Sequence, residues 1–383
     1  MSTYPLNPPR LQQFLRSVFA GLDPGLLLAI AALCGLSVLT MYSSGLEVSS
    51  RFPDHLRNML LAVVLMLTVA QIPPQRFMAI ATPVYVLGLV LLIAVALFGL
   101  TKKGATRWLN IGIATVQPSE ILKIAVPFML AAWFQKRERR LKSIDFLMGL
   151  FLIMVPVTLI LKQPDLGTAL LITFTGLCVL FFAGLSWYWV LPFVIIGLVG
   201  IATIIGFESR LCADEFSWHF LHEYQRQRIC TLLDPSSDPL GKGFHIIQGI
   251  IAIGAGGLWG RGFLKGTQTH LEFIPEHTTD FIFAAYAEEF GLVGCLLLFA
   301  GFILLILRGL QIAVRAPTVF TRLLAAGISI IFFTYACVNV GMVCGILPVV
   351  GVPLPFISYG GTAMVTLGLG LGVLMAVSKA RNF

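Results

Sequence analysis

The stretch Lys136–Gly184, KRERRLKSIDFLMGLFLIMVPVTLILKQPDLGTALLITFTGLCVLFFAG, decides the fold. A basic cluster is followed by an apolar run at 145–161, a polar turn at Gln163-Pro164-Asp165, and a second apolar run that ends near 184. A bilayer's hydrocarbon core is ~30 Å thick, and a helix needs about 20 apolar residues to cross it. Lipid offers the backbone no hydrogen-bond partner, so runs of this length must be helical. The stretch therefore predicts a helical pair that crosses the membrane and returns.

The same measure, carried outward, finds runs at 25–42, 56–72, 78–100, 118–135, 188–207, 281–311, 320–347 and 359–380. Hydrophobic residues make up 57% of the 383 positions and charged ones 11%, against about a quarter charged in a soluble domain. The fold class that follows is an all-α polytopic membrane protein of about ten transmembrane helices. It forms one domain over 1–383, with a cytoplasmic N-terminus at 1–24, helices one to seven over 25–207, and helices eight to ten with the cytoplasmic C-terminus over 280–383. One large polar loop, 208–279, separates helices seven and eight. The first run exceeds the core of a signal peptide and is followed by more spans, so it reads as a retained helix.

Net charge is +8, but the cations sit between apolar runs and no basic block alternates with aromatics, which argues against nucleic acid. Lys and Arg in short loops favour the cytoplasmic side. One side collects thirteen of them, five within Lys136–Lys142, and the other side six. Both termini are therefore expected in the cytoplasm and the 208–279 loop outside. Cys34, Cys178, Cys295, Cys337 and Cys344 fall in apolar runs and read as packing residues. Cys212 and Cys230 both lie in the outer loop; an oxidising compartment permits a disulfide, and two free thiols are the alternative.

Helices four, six, eight and ten all start on the outer side with polar residues: Gln117-Pro118-Ser119-Glu120, Gln163 to Thr168, Thr278-Thr279-Asp280 and Ser358 to Thr362. Each is an ordinary capping sequence taken alone. Four free helix N-termini on one face, beside Arg226, Arg228 and Lys265 of the loop, suit an anion such as pyrophosphate. Glu120 and Lys123 are spaced to pair one turn inside the fourth span. Ionisable groups within a span are costly, which makes them organising or functional residues. Asp280 stands where the chain re-enters the membrane, and the turns Phe281–Phe290 are expected at the outer interface, with Glu288 near the same face. His219, His222 and Glu223 form an H-x-x-H-E cluster, but no further ligand has metal-site spacing, so they read as surface residues.

Taken in order, these motifs resemble the SEDS family (shape, elongation, division and sporulation proteins). The resemblance runs through Arg107-Trp108, Gln117 to Glu120 with Lys123, Gln163 to Thr168, Leu233-Asp234-Pro235, Asp238-Pro239-Leu240-Gly241, Ile251 to Gly254, Gly266-Thr267-Gln268, Phe273 to Glu276, Thr279 to Phe283 and Ala287-Glu288-Glu289. Leu347-Pro348-Val349-Val350-Gly351-Val352-Pro353-Leu354-Pro355 looks like the elongation branch, the RodA type. The resemblance implies a peptidoglycan glycosyltransferase in the cytoplasmic (inner) membrane that polymerises lipid II on the outer face. It implies Asp280 as catalytic residue, a class B penicillin-binding protein as partner, and other elongation-complex membrane proteins around it. The reading expects Arg107, Glu120, Lys123, Asp165, Arg226, Arg228 and Lys265 to bind substrate. It assigns no protein metal site, and leaves a divalent cation, Mg or Mn, as a candidate companion of the pyrophosphate. A flippase for lipid-linked precursors and a non-catalytic scaffold are the competing classes.

Overall fold

The computed structural model describes residues 21–45, 50–102, 105–110, 115–138, 141–207, 212, 223–238, 241–270 and 276–380. All ten expected spans are helices: α1 Pro24–Ser44, α2 Arg51–Val69, α3 Pro74–Phe98, α4 Pro118–Gln135, α5 Ser143–Lys162, α6 Leu166–Phe182 and α7 Trp187–Gly206, then α11 Ile282–Val314, α12 Val319–Val343 and α13 Gly361–Ala380. Eight are long and apolar enough to cross a membrane on their own; α4 and α6 fall outside that set. The 17 residues of α6 are short for a span, and α4 carries buried Glu120 and Lys123. Both pack beside α12 in the bundle, where protein rather than lipid surrounds their polar groups.

Local chemistry sets the helix ends. Pro24, Pro74 and Pro118 open helices, a position where the missing N–H had no partner to lose. Asp23 accepts the Leu26 amide at 3.0 Å and also takes Arg308 of α11 at 2.8 Å, so one carboxylate caps α1 and ties two spans together. Asp165 caps α6 through Thr168 at 3.1 Å. α12 and α13 are the most buried of the eight long spans, whereas no part of the α7 window is buried. Phe193, Ile196 and Leu198 of α7 are open to the surroundings, as befits a helix whose solvent is lipid.

Two features depart from the sequence reading. Between α3 and α4 lies a small antiparallel sheet, β1 Leu100–Lys102, β2 Ala105–Asn110 and β3 Thr115–Val116, in the order β1-β2-β3. Its strands are too short for a visible alternation, and it carries Arg107. The loop 208–279 is not simply polar either. It holds α8 Glu223–Leu233, α9 Lys242–Gly256 and α10 Thr267–His270. The apolar α9, 15 residues long, is too short to span and instead packs on α11, burying Ile246 and Ala252. Cys212 and Cys230 are joined by a disulfide that pins the start of this region to α8. His219 and His222 lie outside the described residues, as do both chain ends.

α11 is broken at Gly291, where φ is 63° and ψ −163°. The lost helical hydrogen bonds are replaced by the turn after α9: Arg261 N–H donates to Glu288 O at 2.9 Å and Gly262 N–H to Glu289 O at 3.0 Å. Leu292 and Val293 donate to Gly257 O and Leu258 O at 2.9 and 3.2 Å. A non-helical peptide at membrane depth needs such protein partners. A Cβ on Gly291 would stand 2.3 Å from the Gly260 nitrogen, and the backbone conformation itself is essentially reserved for glycine. Gly291→Val should therefore lower the thermal unfolding midpoint in detergent, at a cost of about 1–3 kcal/mol from strain alone plus the displaced turn. Phe281–Glu289, expected at the interface, is buried in protein because this turn and the neighbouring helices enclose it.

Candidate active site

Asp280 lies two residues before α11, partly exposed between buried Thr278 and buried Phe281. Its setting is built by backbone capture. Asn339 of α12 donates to the Asp280 carbonyl at 2.9 Å. Ser358 donates its hydroxyl to the Thr279 carbonyl at 2.7 Å, and the Tyr359 amide donates to the Thr278 carbonyl at 2.8 Å. Arg51, at the start of α2, donates to the Thr278 hydroxyl and lies over the Tyr359 ring at 5.6 Å. His277 Nε2 is 3.1 Å from the Ser44 carbonyl at the end of α1; a carbonyl only accepts, so Nε2 carries the proton.

The carboxylate is aimed by the non-helical segment 344–360, which folds back into the bundle and buries Val350, Val352, Leu354, Phe356 and Ile357. At Gly351, where φ is +73°, an added Cβ would stand 3.3 Å from Asp280 Oδ2. Glycine thus gives the carboxylate its room. Ser37 of α1 donates to the Phe356 carbonyl at 2.6 Å. With its single proton so committed, it accepts from His55 Nε2 at 2.7 Å. Two helices therefore anchor the segment that faces Asp280.

The helix starts join in two pairs, bridged by the non-helical segment 344–360. Gln117, before α4, donates to Asp165, before α6, at 3.1 Å. Arg107 of β2 donates to the Pro164 carbonyl and sits 3.9 Å from Asp165 Oδ1. Gly167, in the first turn of α6, lies against Val350 and Val352, so that a Cβ there would meet the Val350 oxygen at 2.8 Å. The starts of α11 and α13 are joined through Thr278, Thr279, Ser358 and Tyr359. A continuous path of contacts thus runs from Arg107 and Asp165 through Val350 to Gly351 and Asp280.

One turn deeper, Lys123 donates to Glu120 Oε1 at 2.6 Å and to the Tyr335 hydroxyl at 2.6 Å, and Tyr335 completes the triangle toward Glu120 Oε2 at 3.4 Å. All three are buried. The remaining predicted residues belong to the 208–279 region: Arg226 donates to the Cys212 carbonyl at 3.4 Å, Arg228 is half-buried on α8, and Lys265 is exposed in the turn before α10. Glu288 accepts from the Gln268 amide at 2.9 Å and Glu289 from Ser43, so both brace the broken helix from buried positions. Sequence reading missed Arg51, Tyr335, Asn339 and Gly351. A lone amide and a phenol within an otherwise apolar span were the available signals, since polar side chains there usually bridge helices.

Residues 24–383 match the family model described as "Cell cycle protein", which groups FtsW, RodA and SpoVE. The chain belongs to the SEDS family. Within this family it is similar to the peptidoglycan glycosyltransferase MrdB of Escherichia coli K12, 48% identical over 364 residues that cover 94% of each chain. The peptidoglycan glycosyltransferase RodA of Treponema pallidum is 31% identical, with 92% of this chain and 96% of that one covered. A structure described as showing coordination of polymerization and crosslinking by a peptidoglycan synthase complex superposes with a TM-score of 0.77 at 30% identity, over 94% of this chain and 98% of that one. The crystal structure of Thermus thermophilus RodA gives 0.70 at 26%, over 95% and 99%. This SEDS chain is of the RodA type.

Proposed function

We propose that this SEDS chain is a peptidoglycan glycosyltransferase that polymerises lipid II on the outer face of the cytoplasmic membrane, with Asp280 as general base. The observation that carries the reading is Asp280 itself: a partly exposed residue, fixed through its backbone where the starts of α11 and α13 join, and linked through Gly351 and Val350 to the starts of α4 and α6. The names of the relatives supply the reaction class. The Cys212–Cys230 disulfide supports an outer position for the 208–279 region, because such bonds persist in oxidising compartments. The excess of Lys and Arg on the opposite side supports the same orientation.

In this reaction the 4-hydroxyl of one lipid-linked disaccharide attacks the anomeric carbon of another, with inversion, and undecaprenyl pyrophosphate leaves. Asp280 takes the hydroxyl proton, a role worth about 10²–10⁴ in rate. Pyrophosphate departs as an anion and needs charge stabilisation more than protonation. The starts of α4 and α13 are placed for that work, with Arg51 and Arg107 beside them and Arg226, Arg228 and Lys265 contributed by the loop. Among the described residues no three His, Cys, Asp or Glu side chains gather as a metal cage.

A class B penicillin-binding protein is the proposed partner, supported by likeness to a complex that couples polymerization to crosslinking. The broken α11 favours one competing reading, since discontinuous helices are common in transporters. The protein purified in detergent with that partner and fluorescent lipid II separates the two. Glycan strands are expected, because polymerisation needs no second compartment. Lipid movement in sealed vesicles without any polymer in detergent would give the flippase reading precedence.

A further inference from the structure

We infer that Asn339 is a positioning residue for Asp280, and the inference rests on the proposed glycosyl transfer. Asn339 is fully buried in α12, and its Nδ2 donates twice, to the Asp280 carbonyl at 2.9 Å and to the Val352 carbonyl at 2.8 Å. These two carbonyls belong to the two strands of chain that meet at the carboxylate. Asp280 carries it, and Val352 follows Gly351, where an added Cβ would come within 3.3 Å of Oδ2. One amide group therefore sets the distance between the base and the wall that aims it.

The chemistry of the site demands this residue type. Two carbonyl oxygens facing one side chain call for two donors on a single atom, which an amide has and an aspartate or hydroxyl lacks. Among the described residues the Asn339 Oδ1 has no hydrogen-bond partner, so the side chain is oriented by its donors. Neither carbonyl lies in a regular element, and a buried acceptor stripped of its donor moves to find another. Such a shift displaces the carboxylate from the attacking hydroxyl without touching the surfaces that hold the lipid, and misplacement of about 1 Å can cost about 10²-fold in rate.

The test is steady-state polymerisation by purified Asn339→Ala and Asn339→Gln variants with fluorescent lipid II, alongside binding of the same lipid. Asn339→Ala removes both donors. Asn339→Gln keeps them on a chain one methylene longer. For both, kcat is expected to fall about 10–100-fold, with KM and lipid II affinity within about twofold of wild type. Wild-type kcat in either variant, or loss of lipid II binding together with turnover, would overturn the positioning role. An inactive wild type in the same assay would strike the proposed function instead, so the two failures are told apart.

Discussion

Asp280→Asn is expected to reduce lipid II polymerisation by about 10²–10⁴-fold, the range for loss of a general base. The substitution is nearly isosteric. Its backbone carbonyl still receives Asn339, Thr278 and Thr279 still receive Tyr359 and Ser358, and the side chain still fits against Gly351. Basicity is what disappears. The measurement is glycan formation by wild type and variant in detergent with the partner present, together with thermal unfolding and lipid II binding. The fold and the affinity should be retained while kcat collapses. Wild-type turnover by Asp280→Asn would sink the assignment of the base.

The second large effect concerns Glu120 and Lys123. Both are buried, 2.6 Å apart, and tied to Tyr335. Removing one member leaves the other as an uncompensated buried charge, a loss of about 3–5 kcal/mol. Glu120→Gln and Lys123→Met alone should each lower the thermal unfolding midpoint sharply and remove activity with it. The double variant Glu120→Gln, Lys123→Met leaves no net buried charge and should recover most of the stability, because replacing a whole buried pair is often neutral. Its turnover then gives the role of the pair: recovery with stability makes it a brace between α4 and α12, and a stable but inactive protein makes it part of substrate handling. Equal instability of the double and single variants would overturn the charge argument.

These two sites were differently legible. Glu120 and Lys123 announce their pairing by an i, i+3 spacing in one helix, so the contact follows from helical geometry alone. Tyr335, the third member, is 212 positions from Lys123 in the chain and carried no such mark. Asp280 stood out as a carboxylate at a membrane re-entry. Asn339, which holds Asp280, and Ser358, which holds Thr279, lie 59 and 79 positions from them. The apolar helix α9 was hidden inside a loop read as polar, because 15 residues fall below the length that marks a span.

What the sequence determined by itself is the set of ten helices, most of their starts to within two residues, and which loop is large. Each of those is a local property: an apolar run is compared with the bilayer's thickness, and a cap acts on its own first turn. What only the tertiary structure decided is the path from Arg107 and Asp165 to Asp280, the fold-back of 344–360, and the break at Gly291 closed by the turn at 257–262. Key backbone groups of these irregular segments find their partners far along the chain. At membrane depth they must be satisfied by protein, so their conformations exist only once distant elements have packed.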